Sequence, residues 1–156
     1  MHLIALIAGS MLALISLYEL ANSVVEWMFS FITSEYVVNI EMMLSWMFYP
    51  FAFIIGVPIE DCRVVGELMG MKMVVNEFVA YMKLADMRDV MKKRSVVLST
   101  FALCGFANVG SIGIQIGCLG AMCPSRRSDL AKLAVSAMLC GMQSTFMCAC
   151  IAGMLL

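Results

Sequence analysis

Long apolar runs alternate with short charged clusters along this chain, and polar residues break into the apolar runs at a few defined places. Leu3 to Tyr18 carries no charge, and apolar character then continues to Ile32 past Glu19, Asn22 and Glu26. At helical spacing these three residues share one side, joined by Ser16, Ser23 and Ser30. The pattern predicts one long helix with a polar stripe in its second half. That stripe is either a helix end emerging into water or a face packed on a neighbour. The start has no Lys or Arg and no clear cleavage site after the run, which argues against a signal peptide.

Four further segments follow. Met42 to Val57 is apolar and aromatic, with Pro50 inside it and Gly56-Val57-Pro58 at its end. A central proline in so short a run predicts an interfacial or broken helix. Cys62 to Leu84 is long enough to cross a bilayer yet holds Arg63, Glu67, Lys72, Asn76, Glu77 and Lys83, with Gly66 and Gly70 interrupting its first half. A lipid-facing span would not carry these charges. A re-entrant hairpin shielded by protein would, because irregular backbone at depth is allowed where it lines a cavity. Val96 to Cys123 is charge-free and holds two opposed stripes: Asn108, Ser111 and Gln115 on one face, Gly110, Gly113, Gly117 and Gly120 on the other. Glycine on a helix face permits close helix approach. Leu133 to Leu156 is a plain span, after a stop and restart at Pro124-Ser-Arg-Arg-Ser-Asp129 in which Ser128 or Asp129 can cap the next helix.

Composition fixes the solvent. Apolar residues make up 63% of the 156, against 13% charged. A soluble fold of this size has too few polar groups to cover that apolar surface, so lipid is its natural surrounding. The net charge of −1, without a basic block, excludes a nucleic-acid partner. Loop charge does not decide topology: Arg88, Lys92, Lys93 and Arg94 on one side balance Arg126, Arg127 and Lys132 on the other. Seven cysteines and a single terminal histidine, His2, form neither a disulfide framework nor a metal cluster. They read as small packing residues. No nucleophile–base pair is present, so the chain is not read as an enzyme.

The candidate chemistry lies in two polar signatures inside apolar sequence. They are Asn76-Glu-Phe-Val-Ala-Tyr81 and Ala102-Leu-Cys-Gly-Phe-Ala-Asn-Val-Gly-Ser111. A carboxylate at bilayer depth costs roughly 2.5–3.5 kcal/mol on insertion scales, so Glu77 needs a partner. A polyhydroxylated solute is one such partner. An internal ion pair with Lys72 or Lys83 is the other. A carboxylate accepts two hydroxyl protons, Asn donates and accepts, and Ser adjusts its rotor. Asn108 and Ser111 serve either a ligand or helix–helix hydrogen bonds. Asn76 is placed to brace the turn beside Glu77, and Gln115 reads as packing.

Gly70-Met-Lys72 followed by Asn76 to Tyr81 resembles the second re-entrant hairpin of concentrative nucleoside transporters. Ala102 to Gly113 resembles their next, interrupted helix. Pro50-Phe-Ala-Phe with Gly56-Val57, Pro124-Ser-Arg-Arg with Asp129, and Ala149-Cys-Ile-Ala-Gly153 match in order around them. The resemblance covers nearly the whole chain and corresponds to the carboxy-terminal half of the family.

This resemblance implies an all-α, polytopic membrane protein, a partial copy of an inverted-repeat elevator transporter. It implies a scaffold transmembrane helix at residues 1–34, an interfacial or broken helix at 35–61, a re-entrant hairpin at 62–86, a broken transmembrane helix at 95–123 and a final span at 129–156. The implied activity is sodium-coupled nucleoside symport by a homotrimer in the lipid bilayer, with the plasma membrane as its expected location. Glu77, Asn108 and Ser111 match the positions that hold ribose hydroxyls, and Phe106 matches an aromatic contact to the base. On an uninterrupted helix Phe106 would point away from Asn108; it faces the substrate only if the helix unwinds between Gly105 and Gly110. The family's earlier hairpin and the helix after it have no counterpart here. The Na+ coupling site is therefore expected mostly outside this chain, and no metal ligand is identified within it. The alternative is a truncated, non-transporting chain acting as a structural or inhibitory partner of full-length subunits.

Overall fold

The computed structural model describes residues 2–31 and 39–156, and every regular element among them is helical. The order is α1 His2–Ser30, α2 Ile40–Ile55, α3 Cys62–Val74, α4 Glu77–Met87, α5 Lys93–Leu103, α6 Val109–Met122, a 3-10 turn Pro124–Arg126, and α7 Arg127–Leu155. The end of the expected 1–34 helix lies outside the described residues.

Helix α1 meets the rest through its second half. Tyr18 is buried there, and Asn22 Oδ1 accepts the Ile40 N–H at 2.9 Å. Asn39 accepts from Met42 N, also at 2.9 Å, so two asparagines cap the orphan donors at the start of α2. Asn22 thus belongs to the packed reading of the stripe, while Ser16, Glu19, Ser23 and Ser30 remain exposed.

Of the two forms expected for the second segment, interfacial or broken, the break is absent. Helix α2 runs continuously through Pro50. Proline removes one helical donor, but its ring lies on the exposed side and the turns around it hold. The helix stops instead at Gly56, where φ of 95° lets its N–H and that of Val57 close on Phe53 O (3.0 Å) and Ala52 O (3.2 Å).

Gly66 and Gly70 do not interrupt α3 either. They sit within it, one turn apart, and form the groove that receives α2. A Cβ on Gly66 would come 2.7 Å from Ser45 O, and one on Gly70 would come 2.5 Å from Leu44 Cβ. Small residues at this spacing let two backbones approach. Around the contact Leu44, Phe48, Ala52, Val65, Leu68 and Met69 make the apolar core.

Helix α4 packs on α3 after a break at Val75-Asn76, and α5 packs on α3, α4 and α7. Lys83 on α4 ties three helices together, pairing with Glu41 of α2 at 2.7 Å and with Glu67 of α3. Asp61 accepts from Lys92 N (3.1 Å) and Ser95 Oγ (2.5 Å), which caps the start of α5. Arg94 anchors α7 by donating to Gly153 O at 2.7 Å.

The start of α7 differs from expectation. Ser128 and Asp129 lie inside its first turn, because the 3-10 turn begun by Pro124 runs directly into the helix. Asp129 accepts from Arg126 Nε at 2.8 Å instead of capping. Among the described residues, one helix, spanning Pro124–Leu155, is long and apolar enough by itself to cross a bilayer. Leu17, Trp27, Trp46, Ile54, Met82 and Leu133 stand exposed, each more than half accessible. Gly113 and Gly117 on α6 face open space, whereas Gly120, at the end of that stripe, is buried against the Arg127 side chain of α7.

Candidate functional site

Two interruptions build the site. The chain leaves α3 at Val75 and starts α4 at Glu77; it leaves α5 at Cys104 and starts α6 at Val109. The second break falls where Cys104 to Asn108 unwinds, close to the Gly105–Gly110 interval read from the sequence. Each new helix begins with an asparagine in extended backbone. Asn76 Oδ1 accepts from Val79 N at 2.9 Å, and Asn108 Oδ1 accepts from Ser111 N at 2.7 Å. Ser111 Oγ donates to Asn108 O at 2.6 Å and accepts from Asn108 N at 3.2 Å, which completes a capping box.

These caps aim two helix N-termini at one spot. Asn108 still has its amide donors, and Nδ2 gives one to Glu77 Oε2 at 3.0 Å. Glu77 occupies the first turn of α4, where the helix dipole favours a negative charge. Asn76, Glu77, Asn108 and Ser111 are all buried, with Glu77 only 8% exposed. So the structure brings four of the five candidate residues together. A carboxylate, an amide and a hydroxyl facing one another offer acceptors and donors suited to neighbouring hydroxyl groups.

Phe106 stands apart, 53% exposed on the unwound segment. It borders a cavity of about 220 Å³ that Ser111, Gln115 and Gly141 also line. Gln115, read as packing, is exposed on that cavity wall. The cavity shares Ser111 with the buried cluster, so a ligand contacting the cluster and Phe106 at once would lie across it.

Neither lysine pairs with Glu77. Lys83 is held by Glu41 and Glu67, and Lys72 donates to Ala102 O at 2.9 Å and Thr145 Oγ1 at 3.2 Å. Thr145 lies in the plain final span, and nothing in the local sequence marked it. The only signal was Lys72 itself, a charge inside an apolar segment.

The profile described as the C-terminus of Na+ dependent nucleoside transporters matches residues 1–153. The chain belongs to this family. Within the nucleoside-transporter family it is 39% identical over 168 residues to human solute carrier family 28 member 3, covering 98% of this chain and 24% of that protein. It is 35% identical to human sodium/nucleoside cotransporter 1, over 97% of this chain and 26% of that protein. The Bacillus subtilis transporter YutK, whose function is uncharacterised, is 41% identical over 97% of this chain and 37% of its own. The fold matches CNTnw in an inward-facing substrate-bound state with a TM-score of 0.89 at 34% identity, over 97% of this chain and 38% of that one. A CNTnw variant in an intermediate state gives 0.91 at 35% identity, with the same coverage. The chain therefore spans between about a quarter and somewhat over a third of the relatives it matches. These nucleoside transporters are carriers and not enzymes, which supports the non-enzymatic reading and a membrane location.

Proposed function

We propose that this chain supplies the ribose-binding side of a sodium-coupled nucleoside transporter that works by alternating access. The observation that carries the reading is the buried 3.0 Å bond from Asn108 to Glu77, which joins two separate helix breaks. Glu77 accepts protons from ribose hydroxyls, Asn108 donates to or accepts from a neighbouring hydroxyl, and Ser111 completes the set. Phe106 contacts the base from the cavity edge. Asn76 holds the start of α4 so that Glu77 keeps its aim.

The α3–α4 pair is then a re-entrant hairpin and α5–α6 a broken transmembrane helix. The fit to CNTnw, whose solved structures include inward-facing, intermediate and outward-facing states, supports a part that moves. The coupling Na+ is assigned mostly to the part of the relatives' length that this chain does not match. Assembly as a homotrimer in the plasma membrane completes the proposal, and the family assignment is its support.

The test is uptake of radiolabelled uridine, with sodium and with choline in its place, by cells expressing the product of the complete transcript. Sodium-dependent accumulation is expected. Equal uptake in both media, or none in either, overturns the reading.

A further inference from the structure

Among the described residues Lys72 is the largest side chain sealed from solvent, 1% exposed, and no carboxylate lies within ion-pair distance of it. A buried ammonium without a counter-ion is costly unless other groups replace its water. Here three groups replace it. Ala102 O, at the C-terminal end of α5, accepts at 2.9 Å; Thr145 Oγ1 accepts at 3.2 Å; the Phe146 ring centroid lies 6.0 Å away. A helix C-terminus carries partial negative charge from carbonyls without helical partners. Aromatic faces attract cations as well. The set is a carbonyl oxygen, a hydroxyl oxygen and a π face, which is donor chemistry for a monovalent cation.

The position matters as much as the donors. Lys72 lies one turn before the Val75-Asn76 break, and Ala102 lies just before the Cys104–Asn108 break. The ammonium therefore fastens the α3–α4 break to the α5–α6 break through contacts separate from the Glu77–Asn108 bond. Gly105 is part of the cradle: a Cβ there would overlap the Thr145 methyl and come 3.4 Å from Lys72 Nζ.

We propose that Lys72 is a tethered cation: its ammonium fills a monovalent-cation cradle between the two breaks and positions Glu77 against Asn108 and Ser111. It is a positioning residue that does not touch the solute. This half of the site then takes its positive charge from the chain and needs no dissolved ion. The role in uptake rests on the transport reading, whereas the cradle itself does not.

The experiment truncates the side chain and returns the charge in solution. Purified Lys72→Ala and Lys72→Met proteins are heated in detergent with methylammonium or, as a control, tetramethylammonium chloride. Methylammonium is expected to raise the Tm of Lys72→Ala by several degrees, leaving wild type and Lys72→Met unmoved, since the methionine fills the space. In uptake assays Lys72→Ala is expected to raise the uridine KM at least tenfold, with partial return in methylammonium. No methylammonium-specific rise in Tm for Lys72→Ala, or an equal rise in all three proteins, overturns the proposal. A Tm rise in Lys72→Ala from a wild type that accumulates no uridine would sink the transport reading and leave the cradle standing. An unchanged uridine KM in Lys72→Ala would remove the positioning role.

Discussion

Asn108 and Glu77 are separated by 31 positions in sequence and joined by a 3.0 Å hydrogen bond in a region closed to solvent. The carboxylate and the amide each stand at the first turn of a new helix, so the bond joins two backbone interruptions as well as two side chains. Replacing Glu77 with Gln keeps the shape but turns one acceptor into a donor and removes the charge. Hydrogen bonds to charged groups contribute about 1.5–3 kcal/mol, so uridine affinity is expected to fall roughly ten- to a hundredfold. The preference for uridine over its 2′,3′-dideoxy analogue should narrow with it, because the lost contacts are to hydroxyls. Competition uptake with both compounds measures this, and retained discrimination would take Glu77 out of the ribose contact.

Asn108 and Ser111 separate structure from binding. Asn108→Ala removes the α6 cap and the bond to Glu77 together. The cap alone is worth about 0.5–2 kcal/mol, so both Tm and uptake are expected to fall. Ser111→Ala leaves the Asn108 Oδ1 cap on its own backbone N–H intact. It loses only the Ser111 half of the capping box, so its Tm should fall less than that of Asn108→Ala while the uridine KM rises. Thermal denaturation beside uptake kinetics checks the pair, and a Ser111→Ala protein normal in both would exclude the hydroxyl from binding.

Gly66 faces backbone, which cannot swing aside. Its absent Cβ would fall 2.7 Å from Ser45 O and 3.1 Å from Tyr49 N. Overpacking of this kind costs about 1–3 kcal/mol, and Gly66→Val should exceed Gly66→Ala. A substitution at Gly113, where nothing lies within 4 Å of the added carbon, is the internal control. Lower thermal stability for both Gly66 variants, read by fluorescence-detected size exclusion, is the expected result.

Lys83 neutralises two carboxylates from different helices, and all three side chains are only 20–27% exposed. Lys83→Met leaves Glu41 and Glu67 facing each other with no cation between them, so stability should drop. Adding Glu67→Gln removes one of the repelling charges and should restore part of it. A double-variant Tm no higher than that of Lys83→Met would show that repulsion is not the cause.

The interruption beside Glu77 was legible from the charged residues of its segment, and the one between Gly105 and Gly110 through the family resemblance. Asn76-Glu77 and Gly105 with Asn108 put capping and flexible residues inside apolar sequence, where an interruption accommodates them. The same logic misplaced other features. Pro50 and the pair Gly66 and Gly70 are helix breakers by propensity, yet tertiary packing carries α2 through the first and uses the other two as a contact groove. The cap expected at Ser128 or Asp129 failed because Pro124 begins a turn that leads the helix in early. Lys72 was visible as an anomaly, but its partners Ala102 and Thr145 lie 30 and 73 residues away. A backbone oxygen leaves no trace in sequence, so that cradle could not be read before the fold was known.

The capping box at Asn108 has a consequence for how tightly a solute can be held. Its oxygen accepts from its own helix, and one of its amide protons goes to Glu77. An arriving hydroxyl that takes the place of the Asn108–Glu77 bond exchanges one partner for another. Grip gained that way is modest and readily surrendered, which suits a carrier whose work is finished only when the cargo leaves.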